Sequence, residues 1–141
     1  MEGQVAAGRT VPGSFWVVAV LGLLWNSFGA YDYSMTEFRV PSYLAQFPPG
    51  MIEQLREMPG WSVALWALGV WGSFFGSVFM LLLRAWAGPA FLVSLVAALL
   101  SFSYQFSVGM VSTPVLPLVI CGAVVFLWWY SRRAQRLGYL R

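Results

Sequence analysis

The chain has 141 residues, of which 60% are hydrophobic and only 9% are charged, with a net charge of +3. About a quarter of the residues in a soluble domain are charged, so this composition excludes an ordinary soluble enzyme, a nucleic-acid-binding domain and a disordered chain. Residues 58–131 contain a single charged side chain, that of Arg84. We therefore expect one all-α membrane domain over residues 1–141, built as a four-helix bundle.

The apolar segments give the order of the predicted elements. Residues 1–13 are small and polar and predict a short tail without a core of its own. Membrane spans are predicted at about residues 14–34, 61–83, 89–108 and 114–130. Residues 35–60 form a longer loop, and residues 131–141 form a basic tail. We expect the first span to be retained, because a signal-peptide cut after Ala30 would leave Phe28 where a small residue is needed.

A short amphipathic helix is predicted inside the loop between the first two spans. Pro48 and Pro49 can start this helix and Pro59 must end it. Its apolar face carries Met51, Ile52, Leu55 and Met58. Its polar face carries Glu53, Gln54, Arg56 and Glu57. Such a helix lies on the membrane surface or caps the bundle. A solvated loop helix without a partner is the alternative.

The distribution of arginine predicts the orientation. Four spans place both ends of the chain on one side of the membrane, while the first loop lies on the other side. The first side holds six arginines, which are Arg9, Arg84, Arg132, Arg133, Arg136 and Arg141. The other side holds Arg39 and Arg56. The positive-inside rule therefore places both termini in the cytoplasm.

Small residues recur at helical spacing on the second and third spans. The second span carries Gly69, Gly72, Ser73, Gly76 and Ser77, and the third carries Ser94, Ala97, Ala98 and Ser101. Because lipid removes the usual hydrophobic drive between helices, small residues favour their close approach. We expect these faces to pack within one bundle, with a dimer interface as the alternative. On this basis Gly76→Leu should lower stability and Gly76→Ala should be mild.

The first span has one face that carries Gly22, Asn26, Gly29 and Tyr33. Gly22 and Gly29 are predicted to pack against a neighbouring helix. Asn26 would lie near the middle of the bilayer, where an amide must find hydrogen-bond partners inside the bundle. We expect an interhelical hydrogen bond, with Ser73 or Ser77 as the candidate partner. A contact with a substrate is the alternative.

Asp32 is the one acidic residue that adjoins a span, and Gln105 lies at a similar depth. Together with Asn26 and Tyr33 they form a candidate polar or substrate site, since an ionisable group at a span indicates function. The alternative, which we favour, is an ordinary interfacial belt in which Asp32 reaches water.

The chemistry of catalysis is restricted by what the chain lacks. There is no histidine and there is one cysteine, Cys121. These residues cannot build a zinc, haem or iron–sulfur site of the usual ligands, nor a Ser–His or Cys–His nucleophile. We therefore expect a protein that is not an enzyme and has no catalytic residue, metal or cofactor.

A resemblance to known proteins rests on two stretches, residues 25–33 (WNSFGAYDY) and residues 66–73 (WALGVWGS). They are similar to a group of small four-span inner-membrane proteins of proteobacteria. These proteins mostly have no established role, and some are labelled sugar transporters. The resemblance implies the bacterial inner membrane and names no substrate.

We expect a non-catalytic subunit or accessory protein that contacts membrane lipid and packs against a larger membrane complex or copies of itself, without nucleic acid. A small oligomeric secondary transporter is the alternative. The transporter is less favoured because such proteins usually have charged residues or broken helices at a mid-membrane site, and this sequence has no charged residue at mid-depth.

Overall fold

The computed structural model describes residues 11–111 and 113–141. In these residues it contains six helices: α1 (Gly13–Glu37), α2 (Pro41–Leu44), α3 (Pro49–Arg56), α4 (Gly60–Leu81), α5 (Ala87–Ser107) and α6 (Val115–Arg136). Of these, α1, α4, α5 and α6 are long and apolar enough to cross a membrane. The chain is an all-α, multi-pass membrane protein, and the predicted fold class is confirmed. The expectations for residues 1–10, including Arg9, lie outside the described residues.

The largest difference from the predicted boundaries is at the end of α6. The apolar pattern ends at Tyr130, whereas the helix continues to Arg136. Arginine is a good helix former, and Arg133 and Arg136 in the last turn interact favourably with the negative end of the helix dipole. The first part of the predicted basic tail is therefore helical, because charge ends the apolar segment without ending the helix.

The bundle has two distinct ends. We call the end that holds α2, α3 and the α5–α6 connection the loop end. The opposite end, which holds the start of α1, the α4–α5 connection and the end of α6, is the terminal end. α4 packs against both α1 and α5, and α5 also packs against α6.

Packed apolar side chains fill the terminal half of the bundle. Phe15, Met80 and Phe91 are fully buried there. The ring of Phe15 lies 6.1 Å, between centroids, from the rings of both Tyr130 and Tyr139. Dispersion contacts among such close-packed groups stabilise helix association where lipid gives no hydrophobic drive.

Residues 137–141 close the terminal end. The helix α6 ends in a Schellman turn, in which Gly138 has a φ of 84° and the Tyr139 N–H donates to the Ala134 carbonyl over 2.9 Å. The backbone of Arg141 then accepts from the Ala85 N–H and donates to the Leu83 carbonyl, both at 2.9 Å. These bonds hold the end of α6 against the α4–α5 connection.

The small-residue faces of α4 and α5 pack against each other within the chain. A Cβ atom at Gly69 would lie 3.5 Å from the Ala98 nitrogen, and one at Gly72 would lie 3.2 Å from the Ser94 Cβ. A Cβ atom at Gly76 would lie only 2.7 Å from Cε1 of Phe91. The structure therefore revises the expectation that Gly76→Ala is mild, because the new methyl group would overlap a ring that is fully buried.

Candidate binding cavity

The loop half of the bundle contains a cavity of about 760 Å³ between the four long helices. This volume is within the range of cavities that hold small molecules. Asn26, Asp32 and Gln105 line it, so the structure brings together three of the four residues of the candidate polar site. The fourth residue, Tyr33, packs its ring against Trp66 with 4.8 Å between centroids.

The walls of the cavity are mainly apolar and rich in aromatic rings. The aromatic lining residues are Trp25, Phe28, Phe47, Trp66 and Phe102. Phe28 on α1 is 73% exposed and Leu116 on α6 is 61% exposed, although both belong to the lining. The cavity is therefore open to the surroundings between α1 and α6.

The amphipathic helix α3 covers the cavity at the loop end. Met51 and Leu55, from its apolar face, belong to the lining, as does Met58 just after it. The Gln54 Nε2 on its polar face donates to the Val108 carbonyl at the end of α5, over 3.3 Å. Of the arrangements considered from the sequence, the structure therefore shows the one in which this helix caps the bundle.

Asn26 lies at the bottom of the cavity and is 6% exposed. Its Nδ2 donates to the Ser73 carbonyl over 3.0 Å and to the Ser77 Oγ over 2.8 Å. The Ser73 Oγ donates in return to the Asn26 Oδ1 over 2.7 Å. These are the two serines expected as candidate partners, and the amide joins α1 to α4. Asn26 thus has the structural role of an interhelical bond.

Three other polar lining side chains are also engaged within the protein. The Ser94 Oγ donates to the Gly69 carbonyl over 2.5 Å, and the Gln105 Nε2 donates to the Ser101 Oγ over 3.1 Å. The Thr36 Oγ1 donates to the Asp32 carbonyl over 2.7 Å. The O–H donors of Ser94 and Thr36 are therefore used within the protein, whereas Gln105 keeps one N–H and its Oε1 for a polar ligand.

The Asp32 carboxylate differs from these groups because it is partly exposed and charged. Its Oδ1 accepts a hydrogen bond from the Tyr43 hydroxyl of α2. Burial first, and then the Asp32 carboxylate, raise the pKa of Tyr43 to about 12, so this phenol remains a donor at neutral pH. In the described part of the chain no arginine lies within 4.0 Å of Asp32, and the ion pair found there is Arg56–Glu53 at 3.7 Å.

The two packing glycines of α1 have different surroundings. A Cβ atom at Gly22 would lie 3.1 Å from the Leu127 Cδ2, so this glycine is at a helix contact as expected. A Cβ atom at Gly29 would meet nothing within 4 Å. The packing prediction for Gly29 is wrong, because this residue faces the cavity and not a neighbouring helix.

Sequence reasoning missed the contribution of α2. Tyr43 was not singled out, although it supplies the hydrogen bond to Asp32. Pro41 at the first helical position was the available signal for a short helix at this point. Among the described residues, no group of three or more acidic, cysteine or histidine side chains is placed to hold a metal ion.

Comparison with known proteins gives no relative. The chain matches no model of a protein family, no curated protein and no solved structure. The resemblance to small proteobacterial inner-membrane proteins remains a hypothesis.

Proposed function

We propose that the protein is a non-catalytic subunit or accessory protein of the bacterial inner membrane, which packs against a larger membrane complex or copies of itself. The observation that supports this proposal is that the cavity occupies only one half of the bundle. The loop half is hollow, whereas Phe15, Met80, Phe91 and their neighbours fill the terminal half. A cavity of this kind can hold a molecule or a partner segment, and in this conformation the packed half of the bundle closes it on one side.

The polar groups at mid-depth support the same interpretation. A secondary transporter usually binds its substrate there with charged groups or the ends of broken helices. Here α1, α4, α5 and α6 are each continuous, and the mid-depth amide of Asn26 is bonded to α4. The polar side chain at mid-depth, that of Asn26, is therefore used in assembly of the bundle.

The proposed orientation places the terminal end in the cytoplasm. Five arginines of the described residues lie at that end: Arg84, Arg132, Arg133, Arg136 and Arg141. The loop end has Arg39 and Arg56 together with most of the acidic side chains. Under the positive-inside rule, the cavity is then in the outer half of the membrane.

The test is purification of the full chain from its native membrane in a mild detergent, with an affinity tag before residue 1. The tag is placed there because residues 137–141 are packed against the bundle. Native mass spectrometry should show either a partner in fixed stoichiometry or a homo-oligomer. Because the chain has no lysine, the cross-linking in intact membranes uses photoreactive residues introduced on the outer faces of the long helices. A monomer that remains alone at every such position would refute the proposal.

A small oligomeric secondary transporter is the second candidate, because Asn26, Asp32 and Gln105 line the same cavity. Its test uses protein reconstituted in vesicles with an imposed proton gradient. A coupled carrier should lose solute uptake in Asp32→Asn, since Asp32 is the one acidic side chain in the lining of the cavity. We expect no coupled uptake in the native protein, and a flux that Asp32→Asn abolishes would replace our first proposal.

A further inference from the structure

The cavity has a chemical character that goes beyond the proposed role as a subunit. Among its lining residues Asp32 is the one charged side chain, and arginine is absent from the lining. The carboxylate has one hydrogen bond, from Tyr43, and no arginine within ion-pair distance in residues 11–111 and 113–141. An anionic ligand would be repelled here, whereas a cation would find an uncompensated charge.

The aromatic side chains favour the same class of ligand. Trp25 and Phe28 lie on α1 within two turns of Asp32, and Phe102 lines the cavity from α5. The face of an aromatic ring attracts a cation, most strongly when water is excluded, and the same rings accommodate an apolar body.

A neutral, hydroxyl-rich ligand fits the cavity poorly. A sugar needs several free donors and acceptors in the wall, since each of its buried hydroxyl groups must be satisfied. The N–H groups of Asn26 and the O–H groups of Ser73 and Ser94 are already donated within the protein, which leaves few donors in the wall. The remaining walls are mainly apolar.

We infer that the cavity binds an amphipathic organic cation, with the positive group beside Asp32 and the apolar body between the aromatic walls. The volume of about 760 Å³ is sufficient for a molecule with several rings. This site does not depend on a partner protein, so binding to the purified chain and assembly in the membrane can succeed or fail separately.

The test measures binding of tetraphenylphosphonium to the purified full chain in detergent by titration calorimetry, with triphenylphosphine oxide as the neutral probe. The native chain should bind the cation at least about tenfold more tightly than the neutral probe. Asp32→Asn should weaken cation binding by about tenfold or more and leave the neutral probe unaffected. Asp32→Glu should restore cation binding, since it keeps the charge.

Glu37→Gln is the matched control, because it removes one negative charge from the same helix at an exposed position outside the lining. It should leave cation binding unchanged within about twofold. The inference is overturned if Glu37→Gln and Asp32→Asn weaken binding equally, or if the native chain binds the two probes equally. The comparison of the two probes on the native chain tests the inference even if Asp32→Asn fails to fold.

Discussion

The contact between Gly76 and Phe91 gives a sharp test of how closely α4 and α5 pack. In Gly76→Ala, the added methyl group would lie 2.7–2.9 Å from three carbons of a ring that is fully buried. Extra methyl groups in a packed core cost about 1–3 kcal/mol, and contacts this short place the cost in the upper part of that range. Alanine's better helix propensity offsets up to about 1 kcal/mol. We expect a net loss of about 1–2 kcal/mol of unfolding free energy.

Gly69→Ala is the matched control on the same helix face. Its Cβ would lie 3.5 Å from the Ala98 nitrogen, an ordinary van der Waals distance. It should therefore be neutral or stabilising by up to about 1 kcal/mol. Unfolding in mixed detergent micelles, followed by circular dichroism, measures both variants. In a Phe91→Leu background, Gly76→Ala should cost less, because the two sites are coupled. Equal effects of the two alanine substitutions in the native background would refute the packing argument.

Three further predictions concern topology, the interhelical amide and a titrating phenol. Periplasmic reporter activity is expected for a fusion at Ala45 and cytoplasmic activity for one at Arg141, since arginine is concentrated at the terminal end; the reverse pattern at both sites would end the proposed orientation. A double-mutant cycle of Asn26→Ala and Ser77→Ala should give a coupling energy of about 0.6 kcal/mol and at most about 1.7 kcal/mol, and zero coupling would contradict the hydrogen bond. Tyr43 should ionise near pH 12, and not near its ordinary pKa of 10.0, so its stabilising contribution is full below pH 10.0 and is lost as the pH rises through 12. The ultraviolet difference between the native chain and Tyr43→Phe measures this titration, and a midpoint near that of an exposed tyrosine would contradict the contact with the carboxylate.

Much of the fold could be predicted because a membrane imposes length and polarity on each span. The apolar segments mark the four long helices, and the mid-depth position of Asn26 requires a partner that only a neighbouring helix can supply. Ser73 and Ser77 were candidates because they are small polar residues on a face expected to be buried. Such inferences depend on local pattern and on the absence of water.

The cavity could not be predicted, because it depends on how far α1 and α6 diverge. The two helices meet near the terminal end, where Phe15 contacts Tyr130 and Gly22 faces Leu127. Farther toward the loop end the cavity lies between them. Residue spacing indicates which face of a helix is apolar, but it does not indicate the tilt between two helices that are distant in the chain.

The role of residues 137–141 could not be predicted from the sequence either. These residues reach the α4–α5 connection through backbone hydrogen bonds, which any residue except proline can form on both sides. The expectation for Gly76→Ala is revised for a related reason. The pattern shows that the position is small, but not that the group opposite it is the ring of Phe91.

The position of Asp32 has a consequence for voltage. Asp32 lies about one and a half turns before the end of α1, and packed side chains close the other half of the bundle. Moving one charge through the whole membrane at a potential of 100 mV involves about 2.3 kcal/mol, but a cation that reaches Asp32 from the loop end crosses little of that field. Occupancy of the cavity should therefore follow the concentration of the cation on one face of the membrane and remain nearly independent of the membrane potential.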